Sequence, residues 1–165
     1  MRPEDCEAAV AGQDAVVVAL GIRESALRVR LFGPARTAAD VRSVGTAHVL
    51  DAMRRHGVTR LIVQTSFGVG STRTRLPLKW RALFAAVLKP QLADTEVQEQ
   101  LVRSSGLNWV IAQPVALTND ADDAAPFVST QGVVRSMAIS RRRVATFIAD
   151  AVTSATFNRQ VVALS

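Results

Sequence analysis

A run with β-branched Val16-Val17-Val18 at its centre, Asp14-Ala15-Val16-Val17-Val18-Ala19-Leu20, closed by Gly21, leaves this chain few folds to choose from. A run without polar alternation suits a strand buried on both faces, the usual condition of a parallel sheet. Similar runs recur at Leu61-Ile62-Val63-Gln64-Thr65, Asn108-Trp109-Val110-Ile111-Ala112 and Val161-Val162-Ala163-Leu164, with a shorter strand expected within Val133–Ile139. Helical segments fall between them. Pro3 to Ala11 carries acids in its first turn and stops at Gly12. Asp40 is expected to cap a helix through Arg55, with Val41, Val44, His48 and Ala52 on its apolar stripe and Gly57 as its end. Residues 22–39 read as a polar loop, and Trp80–Leu88 is weakly amphipathic. Pro90 opens a helix to Ser105, and Ser140 caps another containing Val144, Phe147, Ile148, Ala151 and Val152. Strands alternating with helices predict an α/β fold: a parallel sheet with right-handed crossovers.

Composition narrows the functional classes. The 165 residues fit a single domain, and 48% apolar with 21% charged residues is wrong for disorder. The longest apolar run is far too short to cross a bilayer. The opening Met1-Arg2-Pro3-Glu4-Asp5 has no secretory pattern, so a cytoplasmic protein is expected. A single cysteine, Cys6, excludes an intrachain disulfide and a cysteine-rich zinc cage, and isolated His48 and His56 argue against any metal site. His48 reads as a core or interface residue, and His56 suits the negative end of a helix. The net charge of +6 is carried almost entirely by scattered arginines, without a base-stacking element or any Tyr. No nucleic acid and no membrane is expected as a partner. The basic group Arg73, Arg75, Lys79, Arg81 and Lys89 reads first as a solvated face and second as a groove attracting an anion.

In an open parallel sheet, ligands sit beyond the carboxyl ends of the strands. That rule selects Leu20-Gly21, Ser66-Phe67 and Gln113-Pro114-Val115 as neighbours around one crevice. Gly21 permits close approach of a ligand, Ser66 presents a hydroxyl, and Pro114 ends strand pairing so that the chain turns away.

Several local patterns then coincide in order. They are Asp14–Gly21, Gly45-Thr46, Gly57-Val58-Thr59-Arg60 leading to Thr65-Ser66-Phe67-Gly68-Val69-Gly70, Ser105–Trp109, Gln113–Thr118, and Ile139-Ser140-Arg141 before Val144-Ala145. Together they resemble the atypical short-chain dehydrogenase/reductases with an NAD(P)H-binding Rossmann fold, the group holding NmrA-like proteins and biliverdin-IXβ/flavin reductases. The resemblance spans nearly the whole chain. It implies one Rossmann-like domain over residues 1–165, a parallel sheet with helices on both faces, N-terminally truncated. Pro3–Gly12 resembles the helix before that family's fourth strand, so two βα units, about 60 residues, are expected to be absent. The Gly-rich turn that holds the pyrophosphate would lie in that part; no Gly-x-x-Gly-x-x-Gly follows a strand in this sequence. Without the first family strand, the strand holding Val16–Leu20 is expected to be an edge, prone to pair with another chain.

The resemblance also implies roles. Leu20, Gly21, Thr65, Ser66, Phe67, Gln113, Pro114 and Val115 are the expected cofactor-binding residues. Ser66 is the expected catalytic residue, beside the nicotinamide, and Phe67 is expected to line the reaction face. Thr95 stands where relatives often carry Lys or His; threonine neither donates a proton near neutral pH nor brings charge to an oxyanion. Gln113 replaces an Arg, removing a fixed donor fork. Arg141, Arg142 and Arg143 occupy a first helical turn that disfavours cations, relatives often having Asp at the last position; solvated arginines are the first reading and a docked anion the second.

The function implied is NAD(P)H-dependent oxidoreduction, NADP rather than NAD, with hydride passing to a small flavin- or quinone-like acceptor and solvent supplying the proton. Two alternatives stand beside it: a non-catalytic NAD(P)-sensing or protein-interaction module of NmrA-like type, and an inactive gene fragment. Relatives imply a monomer, with edge-strand association as the departure from it.

Overall fold

The structure, a computed structural model, describes residues 2–21, 37–77 and 89–165. Residues 22–36 of the loop expected over 22–39, the Trp80–Leu88 segment and the side chains of Lys79, Arg81 and Lys89 lie outside the described residues. In chain order the elements are α1 (Pro3–Val10), β1 (Ala15–Val18), α2 (Val41–His56), β2 (Arg60–Gln64), a 3-10 turn (Gly70–Arg75) and α3 (Lys89–Ser104). Then follow β3 (Asn108–Pro114), β4 (Ala116–Thr118), β5 (Val128–Ser129), β6 (Ala138–Ser140), α4 (Arg141–Thr153) and β7 (Gln160–Leu164).

The main sheet runs β1-β2-β3-β7-β5, with the first four strands mutually parallel and β5 antiparallel to β7. β4 and β6 form a separate parallel pair. This is the expected α/β architecture with helices on both faces. Along β2, Leu61 and Val63 pack against Val10 of α1, Val49 and Met53 of α2 and Val102 of α3, whereas Ile62 packs with Val144, Phe147 and Ala151 of α4. Both faces of β2 and β3 are therefore dry, which is why their sequences show no polar alternation.

β1 departs from that pattern. Val18 is buried but Val17 is 45% exposed, because β1 is the outermost strand of the sheet among the described residues. The edge role agrees with expectation; the burial of both faces does not. Beside it, Cys6, Val10, Val16, Val18, Leu20 and Val49 line a mostly apolar groove of about 410 Å³.

Three local readings are corrected. The buried stripe of α2 is Gly45, Thr46, Val49, Leu50, Ala52 and Met53; Val44 is 42% exposed, since the helix is rotated relative to the pattern of its valines. Asp40 makes no side-chain cap; Asp94 of α3 caps α2 across the interface instead. The strand expected within Val133–Ile139 is confined to Ala138–Ser140, and β4 and β5 carried too few residues to show a period. Gly57 does end α2, in the left-handed conformation at φ 69°, and Ser140 Oγ accepts from the Arg143 amide at 3.2 Å as the cap of α4.

Candidate active site

The register fixes where the strand tips lie. Val18 of β1 is level with Val63 of β2, Gln64 with Ala112 of β3, and Pro114 with Leu164 of β7. Beyond β2 the chain continues alongside β3: the Thr65 amide donates to the Ala112 carbonyl at 2.8 Å, and the Phe67 amide to that of Pro114 at 2.9 Å. Leu20-Gly21, Ser66 and Pro114-Val115 thus emerge at one carboxyl edge of the sheet, on adjacent strands.

A buried polar strut supports two of these tips. Glu99 of α3, 2% exposed, accepts from Thr65 Oγ1 at 2.8 Å and Gln113 Nε2 at 2.6 Å, and pairs with Arg103 Nη2 at 3.0 Å. Gln113 Nε2 also donates to the Val69 carbonyl at 3.1 Å, while its Oε1 accepts from Thr72 Oγ1 at 2.7 Å. Gly70 closes the arrangement at φ 54°; a Cβ there would stand 2.7 Å from Glu99 Oε2. The side-chain polar atoms of Thr65, Thr72, Glu99 and Gln113 each have a partner, as burial demands.

The strut separates the expected site residues. Thr65 and Gln113 are held by Glu99, and Gln113 is fully buried, so their side chains shape the crevice wall and do not face it. Phe67 is 2% exposed and belongs to the core cluster with Leu76 and Val115; its ring does not line an open face. Thr95 is 3% exposed and its hydroxyl donates to the Gln91 carbonyl within α3 at 2.8 Å, so it offers no proton outward. Ser66 differs. It is half-buried, and its described hydrogen bond is a long one, 3.4 Å, to the neighbouring Phe67 carbonyl. Its hydroxyl is the side-chain donor these tips leave for a ligand.

Sequence reasoning missed Glu99, Asp94 and Arg42. Asp94 Oδ2 accepts from the Arg42 amide at 3.0 Å, and Oδ1 from the Ser43 amide at 3.1 Å and from Ser43 Oγ. Such a cap from another helix leaves no local spacing to read. Arg42 then carries its guanidinium to the tip of β1: Nη2 lies 3.6 Å from where a Cβ on Gly21 would stand. Nη1 is buried and has no hydrogen-bond partner among the described residues. Burial pushes the guanidinium below its ordinary range, and the Asp94 carboxylate pulls more weakly the other way.

The basic first turn of α4 faces the loop over residues 119–125. Arg141 Nη1 donates to Asn119 Oδ1 at 2.7 Å, Arg142 pairs with Asp123 at 3.1 Å, and Arg143 pairs with Asp122 at 3.4 Å and donates to the Ala125 carbonyl at 2.8 Å. For Arg142 and Arg143 the chain's own loop supplies carboxylates. Similarly, Arg73 of the basic group pairs with Glu96 at 3.0 Å. Among the described residues no cluster of His, Cys, Asp or Glu could hold a metal, and no helix is long and apolar enough to cross a membrane.

Known proteins share this fold. The model of the NAD(P)H-binding family matches residues 1–155. The chain belongs to that family. It is 27% identical to an uncharacterized chloroplastic protein of Arabidopsis thaliana over 146 residues, 87% of this chain and 50% of that protein, so it spans about half the length of this relative. A wide-type short-chain dehydrogenase/reductase of Veillonella parvula, solved in complex with NADP, superposes with a TM-score of 0.77 at 19% identity, covering 100% of this chain and 68% of that one. The Anaerobillin reductase ChuY of Escherichia coli O157:H7 superposes with a TM-score of 0.69 at 19% identity, covering 98% of this chain and 68% of that one. The fold is the Rossmann type, as its alternating strands and helices suggested.

Proposed function

We propose that this chain serves an NAD(P)H-dependent oxidoreductase that reduces a small flavin- or quinone-like acceptor. The observation carrying this reading is the convergence of Gly21, Ser66 and Pro114 at one carboxyl edge in an NAD(P)H-binding domain. An orphaned buried guanidinium nitrogen, an exposed glycine and a serine hydroxyl with one long local bond are a donor set suited to a dinucleotide. When bound, the nicotinamide supplies the hydride. The chain's part is to position: Ser66 Oγ donates to a carbonyl of the ligand, and the Glu99 strut fixes the wall behind it. With Thr95 turned into its helix, the proton comes from solvent. NADP over NAD, a cytoplasmic location, a monomeric state and a single domain over 1–165 belong to the same proposal; the NADP-bound structural neighbour supports the first.

Titration of the purified chain with NADPH and NADH, followed by acceptor-dependent oxidation, tests this. Ser66→Ala is expected to cut kcat/KM about tenfold to a hundredfold while stability is unchanged. Thr95 and Gln113 favour a second reading, a non-catalytic NAD(P)-sensing module, because neither places an acid or a cation in the crevice. Binding without turnover would select it.

A further inference from the structure

We propose that Arg42 is the oxyanion-recognition residue of the strand-tip crevice, its guanidinium taking a phosphate oxygen of the dinucleotide beside Gly21. This deepens the cofactor reading and rests on it. A buried donor without a partner is costly, and proteins seldom keep one unless something else uses it. The position is unfavourable for an arginine that serves only the fold: it stands in the first turn of a helix of sixteen residues, where the dipole repels cations. Nor does Asp94 neutralise it directly. Both Asp94 oxygens are engaged by the first amides of α2 and by Ser43 Oγ, and no salt bridge joins them to the guanidinium. Gly21, lacking a side chain, leaves the tip of β1 open next to Nη2. An oxyanion there would meet Nη2, balance the charge of a guanidinium whose Nη1 has no partner, and adjoin the helix N-terminus. A planar fork also suits phosphate better than an ammonium would.

The test uses the full 165-residue chain. Wild type, Arg42→Gln and Arg42→Lys are titrated calorimetrically with NADPH, inorganic pyrophosphate and acetate, while NMR follows the Arg42 Nε–Hε resonance and thermal melts follow stability. Arg42→Gln is expected to bind NADPH and pyrophosphate at least about tenfold more weakly, Arg42→Lys to fall between, and the melting temperature to hold or rise. Should Arg42→Gln not fold, Arg42→Lys and the wild-type resonance still decide. Unchanged pyrophosphate affinity in the variants, or a wild-type Arg42 resonance indifferent to pyrophosphate, overturns the assignment. Weaker acetate binding with NADPH affinity unchanged also overturns it, giving Arg42 to an acceptor carboxylate. If pyrophosphate moves the resonance but NADPH does not bind, the oxyanion site stands and the cofactor reading fails.

Discussion

Glu99 shows how much a single side chain can organise. Replacing it with Ala would leave Thr65 Oγ1 without its acceptor and the Gln113 amide short of one, and would release Arg103 to solvent. Stranded buried donors rather than the lost pair itself set the cost, so Glu99→Ala should destabilise by about 3 kcal/mol in a denaturant titration. Gly70→Ala tests the same spot from the other side. Its positive φ and the 2.7 Å approach of Glu99 Oε2 combine backbone strain with a clash, and about 1–2 kcal/mol should be lost. The Glu99–Arg103 spacing is visible in the sequence as an i, i+4 pair, but the burial that gives it weight comes from the sheet packed beneath. Ser66 was legible from the strand-tip rule alone; Phe67 was not, because nothing local distinguishes a ring that lines a crevice from one that fills a core.

Among the elements, α2 is the one whose start depends on another helix. Asp94→Ala removes the acceptor of two first-turn amides, and should cost about 1–2 kcal/mol while faster amide exchange appears in that turn. The other end of α2 is tied to α1 by Glu7, which lies 2.8 Å from His56 Nε2 and also pairs with Arg55. The His56 contact first, and Arg55 second, hold the Glu7 carboxyl below its ordinary value. A depressed carboxylate pKa adds stability that is full above the unfolded value and disappears as pH falls through the folded one. Thermal melts of wild type should therefore drop below about pH 4 more steeply than those of Glu7→Gln. The strands β2, β3 and β7 were readable from their apolar runs because both faces are dry. β4 and β5, with three and two residues, have no period to read, and the true stripe of α2 follows tertiary packing rather than its most β-branched positions.

At the scale of the whole molecule, the two sides of the sheet differ among the described residues. β5 covers the outer side of β7 with antiparallel pairing, whereas β1 presents Val17 and an apolar groove next to unpaired backbone among the described residues. Long apolar edges invite aggregation, and an outward lysine is a common natural remedy. Val17→Lys is expected to raise solubility, measured as light scattering against concentration, with little change in melting temperature. The strut beneath the crevice bears on the molecule's behaviour as well. Because one carboxylate grips segments from two neighbouring strands, the walls following β2 and β3 form a single plate rather than two independent flaps. A molecule pressing on Ser66 would therefore be registered at Pro114, and any tilt of α3 would carry both walls with it.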